Sequence, residues 1–347
     1  MADQRDGGIS WTDDTWNFLR GCRRVSAGCQ ACYAETIAAR FSGPGLPYEG
    51  LVDGNGRWNG KIRVVEEKFD DPLRWRRPRR IFVNSMSDLF HEDVSVEVLD
   101  RMVRIMAATP RHIYQSLTKR ADRQREYLAD PDLPRRIMLG SGALPAAIGW
   151  PLSNWHVGVS VEDRRALEER APLLARTPAA VRWWSAEPLI GDLGDLSSYV
   201  EGFYSNDGDG HPRLVSYRVD WIVVGGESGD GARPMHPEWA RRIRDQAVAA
   251  GVAFHFKQHG AWRQPLDGEA YNTIHGEAGN PVAFLVDLDG NVHCTREVAG
   301  EAAVVLLRVG KKRAGRILDG RTWDDQPGDV EREIDVLIDA EMADAAT

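Results

Sequence analysis

Short apolar runs alternating with longer amphipathic stretches set the tightest limit on how this chain can fold. Ile81–Ser85, His112–Leu117, Trp155–Ser160, Val181–Ser185, Trp221–Gly225 and Val252–Lys257 read as strands. Between them, Val96–Ala108, Arg120–Leu128, Arg164–Ala175 and Pro237–Ala250 read as helices. The last opens on His236-Pro237-Glu238, with proline in the first turn and an acid near the positive end of the helix dipole, and stops at Gly251. Strands separated by crossover-length helices call for a parallel sheet. With Ile9–Thr12 as a short first strand, about seven βα-type units result. The fold expected is therefore α/β, a partial or full (βα) barrel, in preference to two separate domains.

Two stretches break the alternation. Ser42–Asn59 is rich in glycine and proline and reads as an inserted loop, whereas Gly260–Glu301 contains a hairpin. The hairpin strands are Val282–Asp287 and Val292–Cys294, turning through Leu288-Asp289-Gly290-Asn291. Val304–Val309 and Lys311–Leu318 come next as a last strand and helix. This divides the chain into a barrel-like core over 1–260, an extension packed on it over 261–325, and an acidic tail over 326–347.

Three of the four cysteines, Cys22, Cys29 and Cys32, fall in one loop of this scheme, between the first strand and a first helix at Ala34–Phe41. So dense a group suggests thiolates around one inorganic centre. Three is the informative number, because a closed structural zinc site takes four ligands while a cluster that works on a substrate can keep one corner open. The 347 residues are 42% hydrophobic, enough for a folded core, and no apolar run reaches membrane-spanning length. Met1–Gly8 has no apolar centre of a secretory leader. A cytoplasmic protein is expected, where thiols stay reduced and clustered cysteines hold metal more often than they pair.

Each strand runs out into polar residues: Asn84-Ser85-Met86-Ser87-Asp88, Thr118-Lys119-Arg120, Ser160-Val161-Glu162, Ser185-Ala186-Glu187-Pro188, Gly225-Gly226-Glu227 and Lys257-Gln258-His259. Parallel strands present such ends along the edge where ligands bind. Helix capping accounts for serine and aspartate there, but not for Glu187, Glu227 or Lys257. His91 reads equally as a site residue or as a helix-flanking cap.

These residues resemble the radical S-adenosylmethionine enzymes. More closely, Gly28-Cys29 through Cys32-Tyr33-Ala34-Glu35, Asn84 through His91, Leu117-Thr118-Lys119-Arg120, Glu187-Pro188-Leu189 and Gly225-Gly226-Glu227-Ser228 resemble the three-cysteine-motif proteins of phages and bacteria, a radical-S-adenosylmethionine-like group. The resemblance implies a four-iron, four-sulfur (4Fe–4S) cluster on Cys22, Cys29 and Cys32. It also implies S-adenosylmethionine as the second cofactor and formation of a 5′-deoxyadenosyl radical. Ser85, Ser87, Asp88, Gly225, Gly226 and Glu227 would then contact cofactor, with Glu227 open to substrate instead. Lys119, Glu187, Lys257 and Gln258 would face the substrate, and an electron-donor protein would be a partner. The spacing here is Cys-x6-Cys-x2-Cys where the common pattern has three residues in the first gap. The Gly-Gly-Glu, usually after the second strand, falls on a late one.

The substrate favoured is a nucleotide or nucleic-acid base. A net charge of −8 argues against gripping long nucleic acid, yet Arg74-Trp75-Arg76-Arg77-Pro78-Arg79-Arg80 packs five arginines around a tryptophan. A solvated loop is the plainer reading of that run. Among the tryptophans, Trp155 and Trp221 read as core, while Trp183-Trp184 could offer aromatic surface. Two alternatives stand beside the enzyme. One is zinc on the three cysteines with a histidine or Cys294, His293-Cys294 supplying the remainder. The other is a phage-type binding or adaptor protein without turnover. Gly310-Lys311-Lys312 lacks the rest of a phosphate-binding loop, and His255 with His259 falls on a strand and its end, not on a zinc-binding helix.

Overall fold

Seven parallel strands pair in the order in which they occur along the chain. They are β1 (Asp14–Trp16), β2 (Arg80–Val83), β3 (Ile113–Thr118), β4 (Trp155–Ser160), β5 (Val181–Ala186), β6 (Trp221–Gly225) and β7 (Ala253–Gln258). The helices that matter below are α1 (Tyr33–Arg40), α2 (Val96–Ala108), α3 (Ala121–Leu128), α4 (Arg164–Ala175) and α5 (Pro237–Ala249). The structure, a computed structural model, describes residues 9–139, 149–200, 203–206, 212–215, 218–269, 272–273, 282–293 and 300–328. β4 and β6 are buried at every position, as parallel strands covered on both faces must be, and this is why β6 reads as an unbroken apolar run. The fold is mixed α/β of the partial (βα) barrel type.

The chain forms two compact units, one up to Val161 with Arg165–Arg182, the other Glu162–Arg164 with everything from Trp183. In the first, Trp16, Phe18, Phe69 and Tyr114 are fully buried and meet ring to ring, with Phe18 4.5 Å from Phe69 and Trp16 5.7 Å from Tyr114. α2 turns Leu99, Met102, Val103 and Met106 inward at helical spacing.

The first strand is not Ile9–Thr12. Ile9 closes a turn by accepting the Thr12 amide, and pairing with β2 begins at Asp14, where Asp14, Thr15 and Trp16 lie beside Ile81, Phe82 and Val83. Polar residues secure this edge: Thr12 and Asp13 hydrogen-bond the Arg80 backbone, and Asp14 pairs with Arg79.

In the second unit, Trp183 stacks obliquely on Trp221 with centroids 5.0 Å apart, and α5 buries Trp239, Ile243 and Ala247. Trp183 and Trp184 are buried, so they offer no aromatic surface; being in a covered parallel strand, both point into packed layers. A smaller sheet runs Trp262–Arg263, Val304–Arg308, Val282–Val286, Asn272–Thr273. Val292–His293 pairs antiparallel with Val282–Val286, giving the expected hairpin, and Gly290 takes the left-handed conformation (φ 84°) that its turn requires. The last helix is cut to Lys311–Ala314 instead of reaching Leu318, because Gly315 comes next with φ 74°. Cys294 and the acidic tail beyond Gly328 lie outside the described residues. Among the described residues, no helix is long and apolar enough to cross a membrane.

Candidate functional site

In the first unit, the loops after β1, β2 and β3 meet at the carboxyl ends of their strands. Beyond β1 the chain pairs Leu19–Arg20 with Arg63–Val64, and Gly21 then bridges to Ser87 in the loop after β2. Gly21 has φ 97°, and a Cβ there would lie 2.0 Å from the Lys61 carbonyl oxygen, so only glycine fits immediately before Cys22. Cys29 ends a short 3-10 turn, its amide donating to Ser26 (3.0 Å). Cys32 stands at the cap position of α1.

All three cysteines are half-buried free thiols. Burial pushes the Cys22 thiol up to about 12; Asp88 and the other two cysteines add to this, while Arg120 opposes it. Cys32 is also raised by burial, against the pull of the Glu35 and Ala34 amides and of Lys119, although no amide makes a formal cap hydrogen bond to it. The three sulfurs thus lie within electrostatic reach of one another, Cys22 also feeling Arg120 and Cys32 feeling Lys119. Arg24 is drawn the same way, its pKa raised chiefly by Glu35 and further by Cys32 and Cys29. Cys22 and Cys32 rest on an apolar wall of Ala34, Ala38, Tyr48, Leu51, Trp58 and Met86. The Ser42–Asn59 insertion therefore supplies much of the floor of the cysteine site.

Among the described residues, no three His, Cys, Asp or Glu side chains close around a single metal ion. A multi-iron cluster gives each thiolate its own iron and asks for a wider triangle. The donor chemistry fits such a group: three sulfurs, an apolar wall, and cations to balance a negatively charged cluster.

Asp88 is buried and fully engaged. Its Oδ1 accepts from Thr118 Oγ1 (2.6 Å) and the Phe90 amide (3.0 Å), its Oδ2 from the Lys119 amide (3.1 Å) and Arg120 Nη1 (3.0 Å). Four donors fill the acceptor capacity of a carboxylate. Arg120 Nε continues to Glu92 (2.9 Å), which meets Arg23 at 3.3 Å. Ser85 donates to Asn17 (3.2 Å), and its carbonyl accepts from the Tyr33 hydroxyl (2.7 Å). Four buried polar atoms in these loops have no hydrogen-bond partner among the described residues: Asn84 Nδ2, Ser87 Oγ, His91 Nε2 and Arg120 Nη2. Such atoms are where a bound molecule would be received. His91 is buried, its Nδ1 accepting the Asp93 amide at 3.1 Å within the loop, while Ser95 holds the cap position of α2.

The second unit gathers a separate cluster. Glu187 Oε2 accepts from Lys257 Nζ (2.7 Å) and Oε1 from Gln258 (3.0 Å). Lys311 lies within electrostatic range, its pKa lowered by burial and by Lys257. Glu227 is buried and gripped by Arg233 through its amide, Nε and Nη2 at 2.6–2.8 Å. Gly226 has a packing reason to be glycine, since a Cβ would sit 2.1 Å from the His259 carbonyl oxygen. At Gly225 a Cβ would meet the Glu187 side chain at 3.1 Å. His293, the sequence candidate for a zinc ligand, bonds Asp287 at 2.6 Å.

Sequence patterns do not mark Glu92 or Arg233 as site residues, and they place Arg120 only as the last polar residue of the run after β3. Arg120 reads as the start of a helix, and Arg233 stands six residues from its partner with no motif to flag it. The arginine run lies elsewhere in the first unit. It precedes β2, whereas Ser85–Asp88 come after it, about 13 Å of strand apart. Arg79 lies over the Trp75 ring (4.9 Å), Arg74 pairs with Asp71, and Arg76 and Arg77 are exposed.

Residues 6–327 match the model of a family described as "Protein of unknown function (DUF5131)". No curated protein matches the chain. No solved structure matches it either.

Proposed function

The chain belongs to the DUF5131 family, and within that family of unknown function we propose that it is a cytoplasmic iron–sulfur enzyme that uses S-adenosylmethionine. The carrying observation is that Cys22, Cys29 and Cys32 share the loop after β1, with Cys22 and Cys32 against one apolar wall and the charges of Arg120 and Lys119 acting on them. Cys22, Cys29 and Cys32 would hold a 4Fe–4S cluster, which would supply the electron for reductive cleavage of the sulfonium carbon–sulfur bond of S-adenosylmethionine, giving methionine and a 5′-deoxyadenosyl radical.

The residues of this chain have distinct tasks. Cys22, Cys29 and Cys32 hold the centre. Ser87 Oγ and Arg120 Nη2, buried and unpartnered among the described residues, receive the polar end of the cofactor, while Asp88 fixes Arg120 in place. Tyr48, Trp58 and Met86 keep water from the sulfurs. Lys119 offers a positive charge on the same side. In the second unit, Lys257 Nζ donates to Glu187 Oε2, a polar pair of the kind that can anchor a substrate. The substrate class proposed is a nucleotide or nucleic-acid base, and the reductant a separate electron-carrier protein.

The test is anaerobic purification with iron, sulfide and zinc analysis, then EPR of the reduced protein with and without S-adenosylmethionine. About four irons per chain, with a signal altered by S-adenosylmethionine and lost in Cys29→Ala, is expected. Stoichiometric zinc without iron, after failed anaerobic reconstitution, would leave a zinc-stabilised binding protein instead.

A further inference from the structure

Tyr33, Ile37 and Phe41 are 49%, 40% and 44% exposed, and their four-residue spacing aligns them on one helical face. The Phe41 amide still donates to the Ile37 carbonyl (3.2 Å), which carries the helical course through the third residue. The opposite face of α1, Ala34, Glu35 and Ala38, is buried. An apolar row on the solvent side of a helix is the mark of an interaction surface. Tyr33 is already fixed by its hydrogen bond to the Ser85 carbonyl (2.7 Å), so its ring loses little freedom on binding.

The sequence segment that carries this row is basic, with Arg24 paired to Glu35 and Arg23 to Glu92. Residues 20–63 hold seven Lys and Arg against three Asp and Glu, a balance of +4 in a chain whose net charge is −8. Arg40 is exposed on the same helix, and the loop bearing exposed Arg57 lies against it, a Gly56 Cβ falling 3.0 Å from Ala39. An apolar centre with a charged rim is the anatomy of a protein interface. Aliphatic Ile37 at its middle offers no platform for stacked bases. A second copy would set one basic face against another.

The row also begins one residue after Cys32. We infer that the Tyr33–Ile37–Phe41 face of α1 docks a small acidic electron-carrier protein, an inference that rests on the cluster reading above. In each encounter the reduced carrier loses one electron and the centre on the cysteines gains it; no atoms are exchanged.

The experiment pairs the full chain with an acidic flavodoxin. Binding is measured by calorimetry on protein without and with reconstituted cluster, and electron transfer by anaerobic stopped-flow, for the native chain, Ile37→Glu and Arg40→Glu. Both substitutions are expected to weaken binding and slow flavodoxin-driven reduction at least tenfold, while reduction by dithionite is unchanged. Added salt should weaken native binding. Equal binding and equal rates in all three proteins overturn the inference, as does Ile37→Glu abolishing only oligonucleotide binding or self-association. A chain that assembles no cluster yet binds flavodoxin through this face overturns the cluster reading alone. A chain whose cluster accepts electrons from dithionite but ignores flavodoxin overturns the docking site alone.

Discussion

Arg120 Nη1 lies 3.0 Å from Asp88 Oδ2, and this buried contact ties the loop after β3 to the loop after β2. Both side chains also act on Cys22, Asp88 raising its pKa and Arg120 lowering it. The pair therefore sets the shape of the cysteine site and its charge together.

Asp88→Ala is expected to lower the free energy of unfolding by about 3–5 kcal/mol, because Arg120 Nη1, the Thr118 hydroxyl and two backbone amides lose their buried acceptor, leaving Arg120 only Glu92. Thr118→Val, which removes only one of the four donors, should cost about 1 kcal/mol. Urea titration measures both. An Asp88→Ala protein as stable as the native chain but defective in binding S-adenosylmethionine would make Asp88 a cofactor ligand and not a clasp.

Gly226→Ala should abolish soluble expression or cost more than about 4 kcal/mol, since its Cβ would overlap the His259 backbone. Gly225→Ala meets only the Glu187 side chain and should cost about 1–3 kcal/mol. Similar stabilities for the two variants would contradict this assignment.

His156 is buried in β4 with its pKa lowered to about 4 by burial and by Arg80. An unfolded histidine titrates near 6.5, so between these values only the unfolded chain takes up the proton. Stability is then complete above about pH 6.5 and falls as pH drops toward 4, by roughly 2–3 kcal/mol at pH 4.5 from this residue. His156→Gln should remove that share of the acid sensitivity. Parallel stability–pH curves for the two proteins would refute it.

Arg76→Ala with Arg77→Ala should leave the melting temperature and S-adenosylmethionine binding unchanged, because both are exposed at the far end of β2. Altered cofactor affinity, read by equilibrium dialysis, would bring the arginine run into the site.

The strands were legible because burial on both faces leaves unbroken apolar runs, as at Trp221–Gly225. β1 was not, since Asp14 and Thr15 are polar and only Trp16 is buried. The cysteine grouping could be read from spacing alone. The Asp88–Arg120 and Glu187–Lys257 pairs join residues 32 and 70 positions apart, a separation no local pattern encodes. Gly225 and Gly226 entered as cofactor contacts implied by the resemblance, and close approach of the His259 carbonyl gives the second a packing reason that no sequence pattern shows.

The wall beneath Cys22 and Cys32 consists of Ala34, Ala38, Tyr48, Leu51, Trp58 and Met86, held by ordinary side-chain packing. An inorganic centre stripped out by oxygen would thus leave its mould standing. Refilling should proceed on the folded protein, at a rate set by delivery of iron and sulfide and not by refolding of the chain.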